Sequence, residues 1–287
     1  MSKPVEPRLA ATVVLARDGA AGLELFMVVR HHQIDFASGA LVFPGGSVDP
    51  TDSDPRLRAL SEGVDDISDK ALAVRVAAAR ESFEECGVLF ARTERGGPLI
   101  DGARAAALGE TYRKPLEAGE IGMADIAERE GLVLALDRLV HFAHWITPPH
   151  MPKRFDTHFY LAEAPGDHVL AHDGSESVDS IWVTPTQACE DADAGKLTVI
   201  FPTRLNVEKV GRSATVAEAV AAARAEPVVT VMPETEMVEG GRIMRIPLEA
   251  GYGAAELLVE GGAGKHARIR YPDGTERATS IAMKPID

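Results

Sequence analysis

Arg80-Glu81-Ser82-Phe83-Glu84-Glu85-Cys86-Gly87-Val88 is the stretch on which the reading of this chain turns. At about 100° per residue, Glu81, Glu84 and Glu85 fall within roughly 100° of one another on one helix face. Leu72, Val76, Ala79 and Phe83 point the opposite way. The spacing therefore predicts a helix over Lys70–Cys86, N-capped by Asp69 and stopped by Gly87 in the left-handed region. Such a helix buries one side and presents three carboxylates on the other. Like charges at i,i+3 and i,i+4 repel by a few tenths of a kcal/mol each, about 0.2–0.5. Arg80 reaches Glu84 at i,i+4, and a hard divalent cation with oxygen ligands offsets the repulsion more completely. The competing reading is a solvated acidic face. Arg80 and Gly87 at fixed offsets, and the upstream turn Phe43-Pro44-Gly45-Gly46, weigh against it.

Outward from that helix, Leu9–Ala16 and Leu23–Arg30 read as β-branched strands around a turn with Asp18, Gly19 and Gly22. A third apolar run, Gly39–Phe43, stops at Pro44-Gly45-Gly46. Pro50 to Asp69 is rich in Asp, Ser and Pro and reads as a surface excursion with one short helix near Leu57–Leu60. Asp101–Glu130 is alanine-rich and mostly helical, interrupted by Pro115 and glycines. Strand composition returns at Arg138–Thr147, Phe155–Glu163 and Val178–Val183, followed by helices at Thr184–Lys196, Pro202–Val210 and Ala214–Ala225. After Pro227 come short strands and Gly-rich turns. The expected class is α/β with a mixed sheet and helices on both faces.

The chain has 287 residues, 45% hydrophobic and 26% charged, with Lys+Arg 30 against Asp+Glu 44 and a net charge of −14. A chain this acidic, with no long Lys/Arg run, is not expected to bind nucleic acid. No stretch approaches the roughly 18–20 apolar residues of a membrane span. Cys86 and Cys189 are too few for a disulfide framework and suit the cytoplasm.

Arg80–Val88 matches the second half of the Nudix box, G-x5-E-x7-R-E-U-x-E-E-x-G-U, and Gly46 to Asp52 resembles its first half as G-x5-D. Asp52 stands for the usual Glu, and Ser82 occupies an aliphatic position. Between Asp52 and Arg80 lie 27 residues where the pattern has seven, so an insertion splits the box. That split is similar to the acyl-CoA diphosphatase-like branch of the Nudix superfamily. Thr147-Pro148-Pro149, Arg154-Phe155-Asp156-Thr157, Trp182-Val183-Thr184-Pro185 and Phe201-Pro202-Thr203 agree with it. In the element typical of coenzyme A-cleaving members, Met27-Val28-Val29-Arg30 and Gly39 fit, while Asp35 stands where a second Arg is usual.

The resemblance implies an α/β/α sandwich around a mixed sheet over residues 1–226, insertions at about 53–69 and 92–135, and a β-rich extension over 227–287. It implies Mg²⁺ or Mn²⁺ held by Glu81, Glu84, Glu85 and a backbone carbonyl at Gly45 or Gly46. Arg80 then orients the carboxylates, and Glu81 is a ligand or the base. Glu176 and Asp179 are further candidates for the base, and Arg30 and Arg154 for binding substrate phosphate. The implied reaction is hydrolysis of a diphosphate linkage in CoA or acyl-CoA, with ADP-ribose or a dinucleotide as alternatives. A non-catalytic Nudix-fold binding protein and an acidic interaction module without metal stay open beside it. The expected partner is a small-molecule nucleotide diphosphate, and a homodimer is compatible with the sequence. Nine histidines, including the adjacent His31 and His32, show no H-E-x-x-H spacing, so no zinc site is expected. Cys86, near a helix C-terminus, is expected to be an inert thiol.

Overall fold

Strand β1 (Arg8–Gly19) is the axis of the fold. Its central residues Val13 to Ala16 are fully buried, as a strand covered on both faces requires. It turns tightly into the antiparallel β2 (Gly22–Arg30). Three short or later elements extend this core: β3 (Leu41–Val42), β4 (Gly45–Ser47) and the helix α1 (Asp69–Cys86). The structure is a computed structural model, and it describes residues 5–30, 40–168, 170, 177–253, 256–260 and 266–279. The split-box insertion is followed by β5 (Ala91–Arg92), α2 (Gly102–Glu117), α3 (Met123–Glu130) and β6 (Val133–Leu134). Then come β7 (Val140–Ile146), β8 (Phe155–Glu163), β9 (Ser177–Val183), α4 (Pro185–Asp193), α5 (Phe201–Val210) and α6 (Val216–Ala225). The chain ends in β10 (Thr230–Val231), β11 (Glu234–Val238), β12 (Gly241–Arg245), β13 (Glu256–Glu260), β14 (His266–Arg270) and β15 (Glu276–Thr279).

The main sheet runs β10-β7-β8-β1-β2-β3, with β4 also on β1 and β9 also on β2. It is mixed, because β1 pairs parallel with β8 and antiparallel with β2 and β4. β1 is long enough to fork: Ala10–Thr12 pair with β4 and Ala16–Gly19 with β2. That fork carries the Gly45-Gly46 turn to α1. Alternation along β1 and β2 sends Val13, Leu15, Phe26 and Val28 toward one face, packed with Val76, Ala79 and Phe83 of α1. Val14, Ala16, Leu25 and Met27 face the other way, packed with Leu205 of α5 and Val216 of α6. The expected α/β/α arrangement is present.

Local expectations needed several adjustments. Ser68, not Asp69, caps α1, its Oγ accepting from Ala71 N at 3.2 Å, and Gly87 closes it at φ 72°. α1 is not half-exposed: every residue from Leu72 to Cys86 except Arg75 is buried. α2 and the split-box insertion cover the face that periodicity assigns to solvent. Nor is the Pro50–Asp69 segment a simple surface excursion. Two 3-10 turns, Pro50–Ser53 and Pro55–Arg58, bury Asp52 and Leu57. The second turn stands where a short helix near Leu57–Leu60 was expected. Pro115 does not interrupt α2, which runs on to Glu117. The helical insertion begins and ends on the small β5–β6 pair, beside which Arg92 bonds both Asp137 and Glu62.

Among the described residues, the C-terminal region forms a five-stranded antiparallel sheet, β11 to β15. It shares its apolar core with α5, through Leu257, Val259 and Ile269. Buried Tyr252 fastens this region to the main sheet: its hydroxyl accepts from Trp145 Nε1 at 2.8 Å and donates to Asn206 Oδ1 at 2.7 Å. Tyr252→Phe leaves two buried groups without that partner and should cost about 1–3 kcal/mol. At this size that lowers Tm by roughly 2–4 °C per kcal/mol. Urea unfolding measures it; a change below about 0.5 kcal/mol would mean that the phenol is not the fastener.

Candidate active site

Arg80 is the centre of the site. Its guanidinium is buried, and every nitrogen donates. Nε and Nη2 reach Asp52 at 3.0 and 3.1 Å, Nη2 also reaches Ser47 O at 2.8 Å, and Nη1 reaches Glu81 at 2.9 Å and Glu84 at 2.7 Å. Asp52 lies 28 residues upstream, yet sits on Arg80 because the 3-10 turn is tied back by Asp49 N donating to Asp52 Oδ2 at 2.8 Å. The insertion therefore loops out between two halves of one constellation. Ser82, the other departure from the pattern, is buried and donates to Ala78 O at 2.9 Å, so its hydroxyl is satisfied within the helix.

Glu85 accepts from Gly45 N at 3.1 Å, and the Glu81 carboxylate lies against Gly46. A Cβ at Gly46 would come within 2.4 Å of Glu81 Oε1, so only glycine allows this approach. The three glutamates are 8%, 7% and 9% exposed in chain order. Burial pushes the Glu84 carboxyl up to about 7, although Arg80 bonds it. Asp52 is raised for the same reason. Burial disfavours charge on Arg80 as well, but Asp52, Glu81 and Glu84 more than offset this and hold it protonated. One guanidinium thus serves several desolvated carboxylates, and the excess negative charge suits a hard cation with oxygen ligands. In this arrangement the glutamates surround Arg80 and the glycine turn rather than one point. Among the described residues, the group of three ligand types whose donor atoms all lie within 4.8 Å is His144, Asp156 and His158.

The acidic cluster forms one end of a cavity of about 620 Å³. Gly46, Thr147, Phe155 and Phe201 line it, so four of the short motifs singled out in the sequence converge here. Four contributors had no signal in the sequence. Glu117 of α2 brings another carboxylate, close enough to raise the Glu84 pKa. Arg8 brings an exposed positive charge, and Met244 and Leu257 of the C-terminal sheet add an apolar wall beside Trp145 and Phe159.

Two other expected site residues, Arg154 and Asp179, lie elsewhere. Arg154 is buried but not on the cavity; it donates to Thr147 O at 2.9 Å and Val5 O at 2.7 Å. Asp179 is exposed on β9, with Ser180 N donating to it. Arg30 ends β2, pairing with Ser177, and its side chain lies outside the described residues, as do Glu176, His31, His32, Asp35 and Gly39.

The Glu84 position has a thermodynamic signature. A folded-state pKa near 7 against 4.5 in the unfolded chain means that the native state holds this proton more tightly. Without divalent ions, stability therefore falls as pH rises from 4.5 through 7. Glu84→Gln removes that loss. It should be near neutral at pH 5 and stabilising by roughly 1–3 kcal/mol at pH 8, measured by thermal melts in chelator. Equal effects at both pH values would contradict the buried, desolvated carboxyl.

The sequence profile described as the NUDT19 Nudix domain matches residues 60–210, more than half of the chain. A Caenorhabditis elegans protein described as nudix hydrolase 7 is 28% identical over 199 residues, covering 68% of this chain and 57% of that one. The Gallus gallus protein described as acyl-coenzyme A diphosphatase NUDT19 is 27% identical over 237 residues, covering 64% of this chain and 62% of that one. The chain thus spans about three-fifths of the length of these curated relatives. A crystal structure of a NUDIX hydrolase from Alicyclobacillus acidocaldarius superposes with a TM-score of 0.61 at 27% identity, covering 76% of this chain and 96% of that one. By the profile match, carried on the helix and cleft described above, this protein belongs to the Nudix superfamily, in the branch of the NUDT19 Nudix domain.

Proposed function

We propose that the chain is a divalent-metal-dependent hydrolase that cleaves the diphosphate linkage of CoA or acyl-CoA into a 3′,5′-phosphorylated adenosine and a phosphopantetheine product. The observation that carries the reading is the polarity of the cleft. Buried carboxylates stand at the Gly45-Gly46 end, and Trp145, Phe159, Met244 and Leu257 form an apolar wall in the same cavity. A pantetheine arm with an apolar acyl group matches that wall, while the diphosphate lies at the acidic end.

Mg²⁺ or Mn²⁺, when held by Glu81, Glu84, Glu85 and the Gly46 carbonyl, supplies neutralisation of the diphosphate and a lowered pKa for water. Arg80 fixes the rotamers of Glu81 and Glu84 by donating to both. Glu81, pressed against the glycine turn, is the group that takes the proton of the attacking water; Glu176 is the alternative acceptor. Arg8 pairs with a substrate phosphate, the task first assigned to Arg30 and Arg154. Residues 1–226 carry this chemistry, and 227–287 complete the apolar wall with Met244 and Leu257. Cys86 and Cys189 are not joined in a disulfide, which accords with the cytoplasm.

Incubation of the full chain with CoA, acyl-CoA, ADP-ribose and NADH in Mg²⁺ or Mn²⁺, with product identification, tests the substrate. Turnover of CoA or acyl-CoA is expected; turnover of ADP-ribose or NADH alone would move the assignment to that class, and none at all to a binding protein. Glu84→Gln should lower kcat at least about 100-fold. Arg8→Ala should chiefly raise KM, by about 10-fold. Gly46→Ala should displace Glu81 and lower kcat with Tm little changed; unaltered kcat would remove Glu81 from the reacting centre.

A further inference from the structure

The face of β8 turned away from the cleft carries a second polar cluster. Asp156 and His158 alternate with Phe155, Thr157 and Phe159, which line the cavity, so the two groups lie on opposite faces of one strand. His144 of β7 sits directly across from His158 in the antiparallel register. His141 would face the other way in a regular strand, three residues from His144. A register shift between His141 and Ala143 leaves Phe142 as the extra residue, and both histidines then share the face. Phe142 and Trp145 go to the opposite core.

The two imidazoles converge on one oxygen of Asp156. His144 Nε2 is 2.5 Å and His158 Nε2 3.7 Å from Asp156 Oδ1, and the donor atoms of the trio all lie within 4.8 Å. A tetrahedral ion with bonds of about 2.0–2.1 Å sets its donors roughly 3.3–3.5 Å apart, within this range. The far nitrogens are already held by groups of the kind that orient metal-bound histidines. His144 Nδ1 faces Thr230 Oγ1 at 2.8 Å, and His158 Nδ1 faces His141 Nε2 at 3.0 Å. Both Nε2 atoms are thereby left for the centre. The rings are stacked at 4.0 Å with an interplanar angle of 13°, so binding turns them toward a common point. Lys70 faces Asp156 Oδ2 at 3.7 Å, leaving Oδ1 as the donor, and its side chain is 67% exposed and free to move outward.

We propose that His144, Asp156 and His158 form a binding site for a divalent transition-metal ion of the imidazole-preferring class, with His141 and Thr230 as positioning residues. Two imidazoles and one carboxylate select zinc-like ions over Mg²⁺, which takes oxygen ligands. The site is chemically and spatially separate from the glutamate cluster. An ion here joins β7 and β8 and, through Thr230, abuts the strand β10 from which the chain enters its C-terminal sheet.

The test uses the chelator-stripped full chain, Zn²⁺ as probe, and excess Mg²⁺ to occupy the glutamate cluster. One Zn²⁺ per chain should bind with micromolar or tighter Kd. Asp156→Asn and His158→Gln, each checked for native circular dichroism, should weaken it at least about 100-fold. His141→Ala should weaken it about 10-fold, and Glu84→Gln should leave it unchanged. Co²⁺ should give a tetrahedral visible spectrum in the native chain that both ligand variants lose. Zinc binding that Mg²⁺ displaces, that disappears in Glu84→Gln, or that survives in both ligand variants would overturn the proposal. Should one ligand variant fail to fold, the other together with the Co²⁺ spectrum decides.

Discussion

The acidic site of this protein is held together by the Arg80 guanidinium. Asp52, Glu81, Glu84 and the Ser47 carbonyl all take hydrogen bonds from it, from three separate pieces of chain. Burying these carboxylates without a cation would cost several kcal/mol each, so the packing around α1 is possible only with the arginine in place. Arg80 joins the helix, the end of β4 and the 3-10 turn at Pro50–Ser53. The raised Glu84 carboxyl shows that one guanidinium does not fully compensate the cluster.

The insertion that divides the box preserves the pairing of its ends. Asp52 is one methylene shorter than the usual Glu, and the 3-10 turn at Pro50–Ser53 brings its backbone close enough to meet Nε at 3.0 Å. Beyond it, Arg56 bonds Asp54, Asp125 and Glu128, tying the loop to α3, while Arg113 of α2 donates to the Glu84 carbonyl. The helical insertion is thus a lid of structure over the carboxylates, which accounts for their burial. Glu117 of α2 gives the cleft an acidic wall, and Met244 and Leu257 of the C-terminal sheet give it an apolar one.

Strand β8 separates two kinds of chemistry. Its cavity-side residues are aromatic or small, and its other face carries Asp156 and His158. Period-two alternation alone accomplishes the separation, and the bulge at Phe142 completes it by turning His141 to the histidine side. Hard oxygen donors gather at α1 and imidazole nitrogens at β7–β8, so the two clusters favour different ions.

What could be read from the sequence was local. The 3.6-residue period placed Phe83 inward and grouped Glu81, Glu84 and Glu85; Gly87 marked the helix end; alternation and turn residues marked β1, β2 and β8. These features depend on neighbours within a few residues, where spacing alone sets geometry. The burial of the glutamates, the return of Asp52 to Arg80, Glu117 and Arg8 in the cleft, the Tyr252 fastening and the grouping of His141, His144, Asp156 and His158 were decided by the tertiary structure. Each depends on which distant segments cover a face or shift a register, and local periodicity carries no information about either.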